Sequence, residues 1–452
     1  MTDKVNAREV VLDMLLEIIE ENKYSHTVQN NTLKKYQYLE KQERAFISRL
    51  CTGTMKRYIT LDYIINKYAS LPILKMKPLI RNLLRLSVYQ LMYMDHVPES
   101  AVCNEAVNLA KKRGFTKLSG FVNGILRNIV RNKSEISYPD KGKDQIGYLE
   151  VYYSIPRWLV AELLSQYDLI TVEAILETSL KEKETTIRCN QKKISAEELR
   201  KCLKEEGVTV EDSEYLDYAF KIKDYDYLEK LKAFQEGYFS VQDVSSMLAC
   251  QVAGISEKDF VVDICAAPGG KALHAAEMAN KVSARDLTEY KVKLIDDRIK
   301  LMGFSNVETL IWDATKLDES IVSLADVVIA DLPCSGLGVM GKKSDIKYKI
   351  TQSQQKELVE LQRAILLTAK EYVKEGGVLI YCTCTLNRDE NLGNRDWFLE
   401  NFDFEAESLD PYLPENLRSE TTKAGYLQLL QGVHNTDGFF LSRMRRRTKR
   451  KT

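Results

Sequence analysis

Two cysteines stand where short apolar runs end. Ala325 to Ala330 leads into Asp331-Leu332-Pro333-Cys334-Ser335-Gly336, and Val378 to Tyr381 leads into Cys382-Thr383-Cys384-Thr385. A thiolate is a soft nucleophile that can add to C6 of a pyrimidine. Addition makes C5 enamine-like and able to attack an electrophilic methyl. A second group must then remove the C5 proton and let the first thiol leave, so two cysteines can divide the work. A carboxylic acid near N3, such as Asp331, would stabilise the adduct by donating a hydrogen bond or a proton. A free thiol has a pKa of about 8.5, so the nucleophile needs help to ionise. No base for that task stands out in the sequence. A lone Cys at a strand end reads as core, and Cys265 and Cys382 are expected to pack into the sheet or carry backbone contacts. Two cysteines at ligand-facing strand ends, flanked by Thr, Ser or Pro, read as chemistry.

The elements that must position them centre on Val261-Val262-Asp263-Ile264-Cys265-Ala266-Ala267-Pro268-Gly269-Gly270-Lys271. The apolar run predicts a buried parallel strand, the Pro-Gly-Gly a tight turn, and Lys271 to Met278 a helix. Glycines in a strand-to-helix turn let backbone N–H groups approach a ligand, and the helix start adds partial positive charge. The pattern is neither a P-loop nor a dinucleotide G-x-G-x-x-G. It predicts a nucleoside-sized site at a strand's carboxyl end. Val282 to Asp286 is a second strand ending in a carboxylate, which suits a ribose diol. Val307 to Ala314 repeats the pattern through Asp313. Helical stretches separate most of these strands, so the fold class is α/β with a doubly wound, Rossmann-like parallel sheet.

The 452 residues allow two or three domains with sizeable cores. At 44% hydrophobic and 29% charged, the composition is that of a soluble globular protein. No apolar run approaches a membrane span and no signal peptide is evident, so a cytoplasmic protein is expected. Nine Cys then read as reduced thiols, and with four His and no C-x-x-C pair no metal site is expected. Net charge is zero but unevenly spread. Residues 1 to 133 hold 22 Lys+Arg against 12 Asp+Glu, an excess of ten positive charges. That excess suggests a polyanion partner. Arg443 to Lys451 is a second basic tract, expected to lie on phosphates or to form a tail.

Residues 1–135 read as an all-helical domain. Val10, Val11, Met14, Leu15, Ile18 and Ile19 make a helical stripe, and Glu43–Tyr58, Leu61–Tyr68, Pro78–Met94, Pro98–Lys112 and Phe121–Ile129 continue the pattern. Residues 134 to 147 read as a linker. A small α+β module is predicted over 148–235, with strands at Thr185–Asn190 and Tyr218–Ile222 and a Ser195-capped helix between them. The sheet with the cysteines occupies 236–452.

Val97 to Val107 and Phe121 to Arg127 resemble the helical RNA-binding domain named after the antitermination factor NusB. Cys265 to Lys271, Asp331 to Gly336 and Tyr381 to Thr385 resemble the RNA cytosine-5 methyltransferases, and Gly432 to Phe440 resembles that family's last strand. The likeness spans nearly the whole chain and includes the branch that acts on 16S ribosomal RNA. It implies S-adenosyl-L-methionine on Cys265, Ala266, Ala267, Pro268, Gly269, Gly270 and Lys271, with Asp286 on the ribose, Asp313 near the adenine and Asp331 at the reacting end. It makes Cys384 the nucleophile and Cys334 the group that helps release product. The implied partner is 16S ribosomal RNA, free or in a partly assembled small subunit, with no membrane and no DNA. The sequence departs from the pattern at Ala272, where a Thr is usual, and at Ser344, where a Pro usually precedes Asp-Ile-Lys. Alternatives are a tRNA cytosine-5 methyltransferase and a non-catalytic RNA-binding ribosome assembly factor. Retention of both cysteines argues against the factor. A DNA methyltransferase would leave Cys384 unexplained.

Overall fold

The structure is a computed structural model and describes residues 5–448. The chain forms two compact units, one reaching through Lys181 and including Met340–Lys349, the other comprising Glu182–Val339 and the chain from Ile350 on.

The first unit is helical. Ala7–Leu15, Lys41–Lys56, Tyr58–Tyr68, Pro78–Tyr93, Glu99–Lys112 and Ser119–Arg131 bury their apolar stripes in one core around Val11, Leu50, Ile64, Leu83, Leu109 and Leu126. Pro78 occupies the first turn of its helix, where its missing N–H costs no hydrogen bond. The helix Ser25–Lys35 was not foreseen, because it buries only Ser25 and Val28 and carries no apolar stripe. Not all of the positive excess faces outward. Arg85 is fully buried and pairs with Asp62 at 2.7 and 2.8 Å, and Arg81 pairs with Glu20.

Three more helices, Gln145–Tyr153, Arg157–Gln166 and Leu169–Leu180, belong to this unit. Of the module expected over 148–235, the part up to Lys181 therefore lies with the helices. Met340–Lys349 is anchored here by its polar side chains. Asp345 accepts from Ser25 N and Oγ at 2.9 and 2.5 Å, and the buried Lys347 donates to the Lys56 carbonyl at 3.1 Å. Burial, then the neighbouring Arg57 and Lys56, hold the Lys347 amine well below its ordinary pKa. Ser344, which stands where a Pro was expected, is itself buried.

The second unit holds two sheets. β1 (Thr185–Cys189), β2 (Thr209–Asp212), β3 (Ala219–Lys223) and β4 (Phe239–Val241) form an antiparallel sheet in the order β2-β3-β1-β4. Ser195 caps the intervening helix Ala196–Glu205 in a reciprocal capping box with Glu198. β2 was not foreseen because it is a partly exposed edge strand of mixed polarity.

β5 (Phe260–Asp263), β6 (Lys281–Asp286), β7 (Val307–Ile311), β8 (Ala325–Asp331), β9 (Val373–Thr383), β10 (Phe404–Ala406), β11 (Tyr426–Leu429) and β12 (Phe439–Arg446) form the large sheet. Its order is β10-β12-β9-β8-β5-β6-β7, with β11 also on β12. β9, β8, β5, β6 and β7 run parallel, and β12 pairs antiparallel to β9. Valines and isoleucines of β5, β8 and β9 are buried on both faces of the sheet, as its two core clusters require. The order reverses at β5/β8, where the chain crosses from one half of the sheet to the other.

The last strand starts at Phe439, later than the motif that announced it, and runs through much of the basic tract. Arg443 is buried, donates to Glu407 at 2.7 Å and to the Val252 and Ala253 carbonyls at 2.6 Å, so it caps a helix end and is not part of a tail. Arg445 also binds Glu407. Lys449, Arg450 and Lys451 lie outside the described residues.

Candidate active site

The β5–helix turn forms as its composition demands. Gly269 has φ +100° and ψ 0°, a conformation that disfavours any side chain. Helix Gly270–Ala276 starts directly after it. Cys265, Ala266, Ala267, Pro268, Gly270 and Lys271 line a pocket together with Asp331 from the end of β8. Asp286, at the end of β6, is buried. Its carboxylate accepts from Ala267 N at 2.9 Å and Leu287 N at 2.8 Å and pairs with Lys291 at 3.0 Å. It therefore holds the turn in shape and is not itself among the residues that line the pocket. Asp313 stands apart from the pocket lining, and its carboxylate accepts from Thr315 N and Oγ1 at 2.9 and 2.7 Å. Those bonds hold its pKa below the usual carboxylate value.

The pocket also contains residues that sequence reasoning missed. Gln242, Asp243 and Ser246 come from the end of β4 and the next helix, Val244–Ala253. Asp263 comes from β5, and Arg298 from helix Glu289–Met302. Asp263 is the most unusual. It is 1% exposed, and neither carboxylate oxygen has a well-formed hydrogen bond among the described residues. Burial lifts its pKa to about 7, with Lys271 pulling it part of the way back. Nothing in the apolar run around Asp263 marks it out except that a strand buried on both faces has no use for a carboxylate.

Lys271 is buried, and its Nζ lies 2.5 Å from Asp331 Oδ2. Burial alone would depress its pKa, but Asp331 outweighs that and raises it above the ordinary lysine value. The ammonium also lies 5.1 Å from the centre of the Phe439 ring.

The two cysteines meet because β8 and β9 are paired in parallel, with Asp331 opposite Cys382. Past those residues the backbones stay tied. Leu332 N donates to the Cys382 carbonyl at 3.1 Å, and Gly338 N to the Cys384 carbonyl at 3.0 Å. Ser335 Oγ and Thr385 Oγ1 are 2.5 Å apart. The buried Glu390 accepts from Ser335 N and from Gln362 at 2.9 Å each, and Gln362 also holds the Pro333 carbonyl. Gly338 packs against the Gly438 backbone so closely that a Cβ at 338 would overlap it, which accounts for the Asp-Gly before β12. The result is a Cys334 Sγ–Cys384 Sγ distance of 3.3 Å. The hydrogen bond to Cys384, then burial, raise the Cys334 pKa well above the free-thiol value, so Cys334 holds its proton. Cys382 is fully buried, with its sulfur 3.7 Å from Asp331 Oδ1, and packs into the sheet as expected. Cys265 also packs against the sheet core and lies in the pocket wall.

A doubly wound sheet with an antiparallel last strand, a glycine turn after its central strand and reactive groups at the carboxyl ends defines a Rossmann-like methyltransferase. Comparisons with known proteins agree. Residues 251–445 match the 16S rRNA methyltransferase RsmB/F family, residues 5–131 the NusB family, and residues 155–226 the RsmF/B-like ferredoxin-like domain. The chain is 36% identical over 98% of its length to 99% of the Bacillus subtilis (strain 168) protein named "Probable ribosomal RNA small subunit methyltransferase B". It is 30% identical over 98% of its length to all of a Synechocystis sp. protein of the same name. The crystal structure of PH0851 superposes with a TM-score of 0.81 at 27% identity, covering 98% of this chain and 99% of that one. The chain belongs to the ribosomal RNA small subunit methyltransferase B family of RNA methyltransferases.

No helix among the described residues is long and apolar enough to cross a membrane.

Proposed function

We propose that the protein methylates C5 of a cytosine in 16S ribosomal RNA, using S-adenosyl-L-methionine and a covalent link between Cys384 and C6 of the base. The observation that carries this reading is the 3.3 Å pairing of Cys334 and Cys384 at the ends of adjacent strands that also bear Asp331.

The pocket suits the cofactor. The buried carboxylate of Asp263 fits a cationic pole, the glycine turn leaves room for backbone approach, and Asp286, which holds that turn, is assigned to the ribose diol by resemblance. When bound, S-adenosyl-L-methionine supplies an electrophilic methyl group. The 16S rRNA methyltransferase family and the names of the relatives support the RNA substrate.

This chain's residues then have distinct tasks. Cys334, holding its proton, donates to Cys384 and so favours the Cys384 thiolate. That thiolate adds to C6 of the flipped-out base. Lys271 and Asp331, hydrogen-bonded to each other, offer a proton where charge develops at N3. Once the Cys384 sulfur is bonded to C6, it no longer accepts from Cys334. The largest cause of the high Cys334 pKa is thereby removed, so Cys334 can release its proton to solvent and, as the thiolate, take the C5 proton. Loss of that proton expels the Cys384 thiolate, N3 gives its proton back to the Lys271–Asp331 pair, and the aromatic ring is restored. Asp313 remains assigned to the adenine end by resemblance.

Exposed lysines and arginines of the helical unit supply phosphate contacts in this reading. The test is to map 5-methylcytosine in the ribosomal RNA of cells with and without the protein. A single cytosine of 16S RNA should lose its mark. Unchanged 16S RNA with a lost mark in tRNA would replace the substrate assignment.

A further inference from the structure

The antiparallel sheet of the second unit has no role in the chemistry above, yet one of its side chains reaches the pocket wall. Arg188, on β1, is fully buried. Its Nε donates to Gln242 Oε1 at 2.8 Å, and its Nη1 pairs with Glu277 just beyond the helix that follows the glycine turn. Gln242 is 6% exposed and lines the pocket. Its amide lies over the glycine turn, with Cδ and Nε2 3.6 and 3.7 Å from where a Gly270 Cβ would sit.

A glutamine amide can flip end for end, presenting either an acceptor or two donors. Arg188 can only donate, so it fixes Oε1 toward itself and leaves Nε2 as the end available to the pocket. There Nε2 has one weak partner, Ser246 Oγ at 3.3 Å. Arg298 also lines the pocket, and no acid pairs with it among the described residues. Burial lowers its pKa, consistent with a guanidinium that lacks a compensating anion. The pocket thus presents an anion-seeking pair, Gln242 Nε2 and Arg298, as well as the cation-seeking Asp263. A ligand with a carboxylate and a cationic group on one short chain would satisfy both.

We propose that Gln242 and Arg298 seat the carboxylate of the cofactor's methionine end, and that Arg188 is a positioning residue that fixes the Gln242 amide for this task. The inference rests on the reading that the pocket holds S-adenosyl-L-methionine. It assigns the small antiparallel sheet a part in cofactor selection.

The test uses calorimetry on the full chain with two ligands, S-adenosylmethionine and its decarboxylated analogue, which keeps the sulfonium and the amine. Charge-assisted hydrogen bonds to a carboxylate predict that Gln242→Met and Arg298→Met each weaken S-adenosylmethionine roughly tenfold to a hundredfold, with the analogue unchanged within about twofold. Gln242→Glu keeps an acceptor for Arg188 and so protects the fold, but it removes the donors and should lose S-adenosylmethionine affinity as Gln242→Met does. Arg188→Lys moves the fixing donor and should show a smaller loss, again for S-adenosylmethionine alone. Equal losses for both ligands would overturn the seat and leave these residues structural. Unchanged affinity for S-adenosylmethionine in the Gln242 and Arg298 variants would overturn it as well. A wild-type protein that binds both ligands equally would refute the seat alone, whereas one that binds neither would refute the cofactor reading together with it.

Discussion

Asp263 makes the site's pH dependence predictable. Its folded-state pKa is lifted from 3.8 to about 7 by burial. A folded pKa above the unfolded one means that the protonated acid favours the folded state. Its stabilising contribution is complete below about pH 3.8 and is lost as pH rises through about 7. At roughly 1.4 kcal/mol per pKa unit the whole shift is worth about 4 kcal/mol, more than half of which falls between pH 5 and pH 7.5. Asp263→Asn removes this titration. The ligand-free wild type should therefore lose about that much stability relative to the Asn variant between pH 5 and pH 7.5, measured by denaturant titration. Binding of a cationic ligand needs the ionised carboxylate, so the two dependences oppose each other. Wild-type affinity for S-adenosylmethionine should climb about tenfold per pH unit below pH 7 and then level off, while the Asn variant stays flat. The gap should be slight near pH 5 and on the order of a hundredfold near pH 7.5. Calorimetry in buffers of different ionisation enthalpy should also show about one proton released on binding near pH 6. An affinity gap that does not change with pH would refute the argument, because it would mean that Asp263 does not titrate in this range or does not face the cation.

Other perturbations separate the remaining roles. Cys384→Ala should form no covalent link to RNA, whereas Cys334→Ala should transfer methyl and then stall as a protein–RNA adduct in a denaturing gel; the reverse pattern would exchange the two assignments. Asp286→Ala should weaken S-adenosylmethionine roughly tenfold to a hundredfold, because it removes a charged acceptor and frees the Ala267 amide it holds; unchanged affinity in calorimetry would take Asp286 out of the site. Cys382→Ala should keep turnover, since its sulfur is sealed in the sheet, and a dead variant with normal cofactor affinity would count against that. Replacing the exposed Lys111, Lys117 and Arg127 with Gln should reduce the slope of log affinity for RNA against log salt by about one per lost phosphate contact; an unchanged slope would move the RNA surface elsewhere.

Much of the site was legible because its chemistry sits at strand ends, at Asp286, Asp331 and Thr383. The glycine turn, the two cysteines and the Ser195 capping box are all local patterns. What escaped were residues whose role depends on tertiary neighbours. Gln242 and Arg188 lie 54 positions apart and meet only when β1 and β4 pair. Glu390 looks like any helix-surface acid until the Ser335 amide and Gln362 close on it. The basic tract misled for a related reason. Charge content alone suggested phosphate contacts or a tail, but Arg443 and Arg445 find Glu407 across the sheet, and β12 is buried from Phe439 through Met444.

The strap Met340–Lys349 has a consequence for synthesis. It is part of the helical unit although nearly 160 residues of the other unit precede it. During translation the first seven helices emerge early, but the groups that Ser25 and the Lys56 carbonyl await do not exist until residues 345 and 347 have been made. Domains that are continuous in sequence can fold as they emerge, N-terminal first. This one cannot finish that way. The nascent helical unit must persist as a bundle with an open seam while most of the β-strands are made, and it closes only when about three-quarters of the chain has left the ribosome.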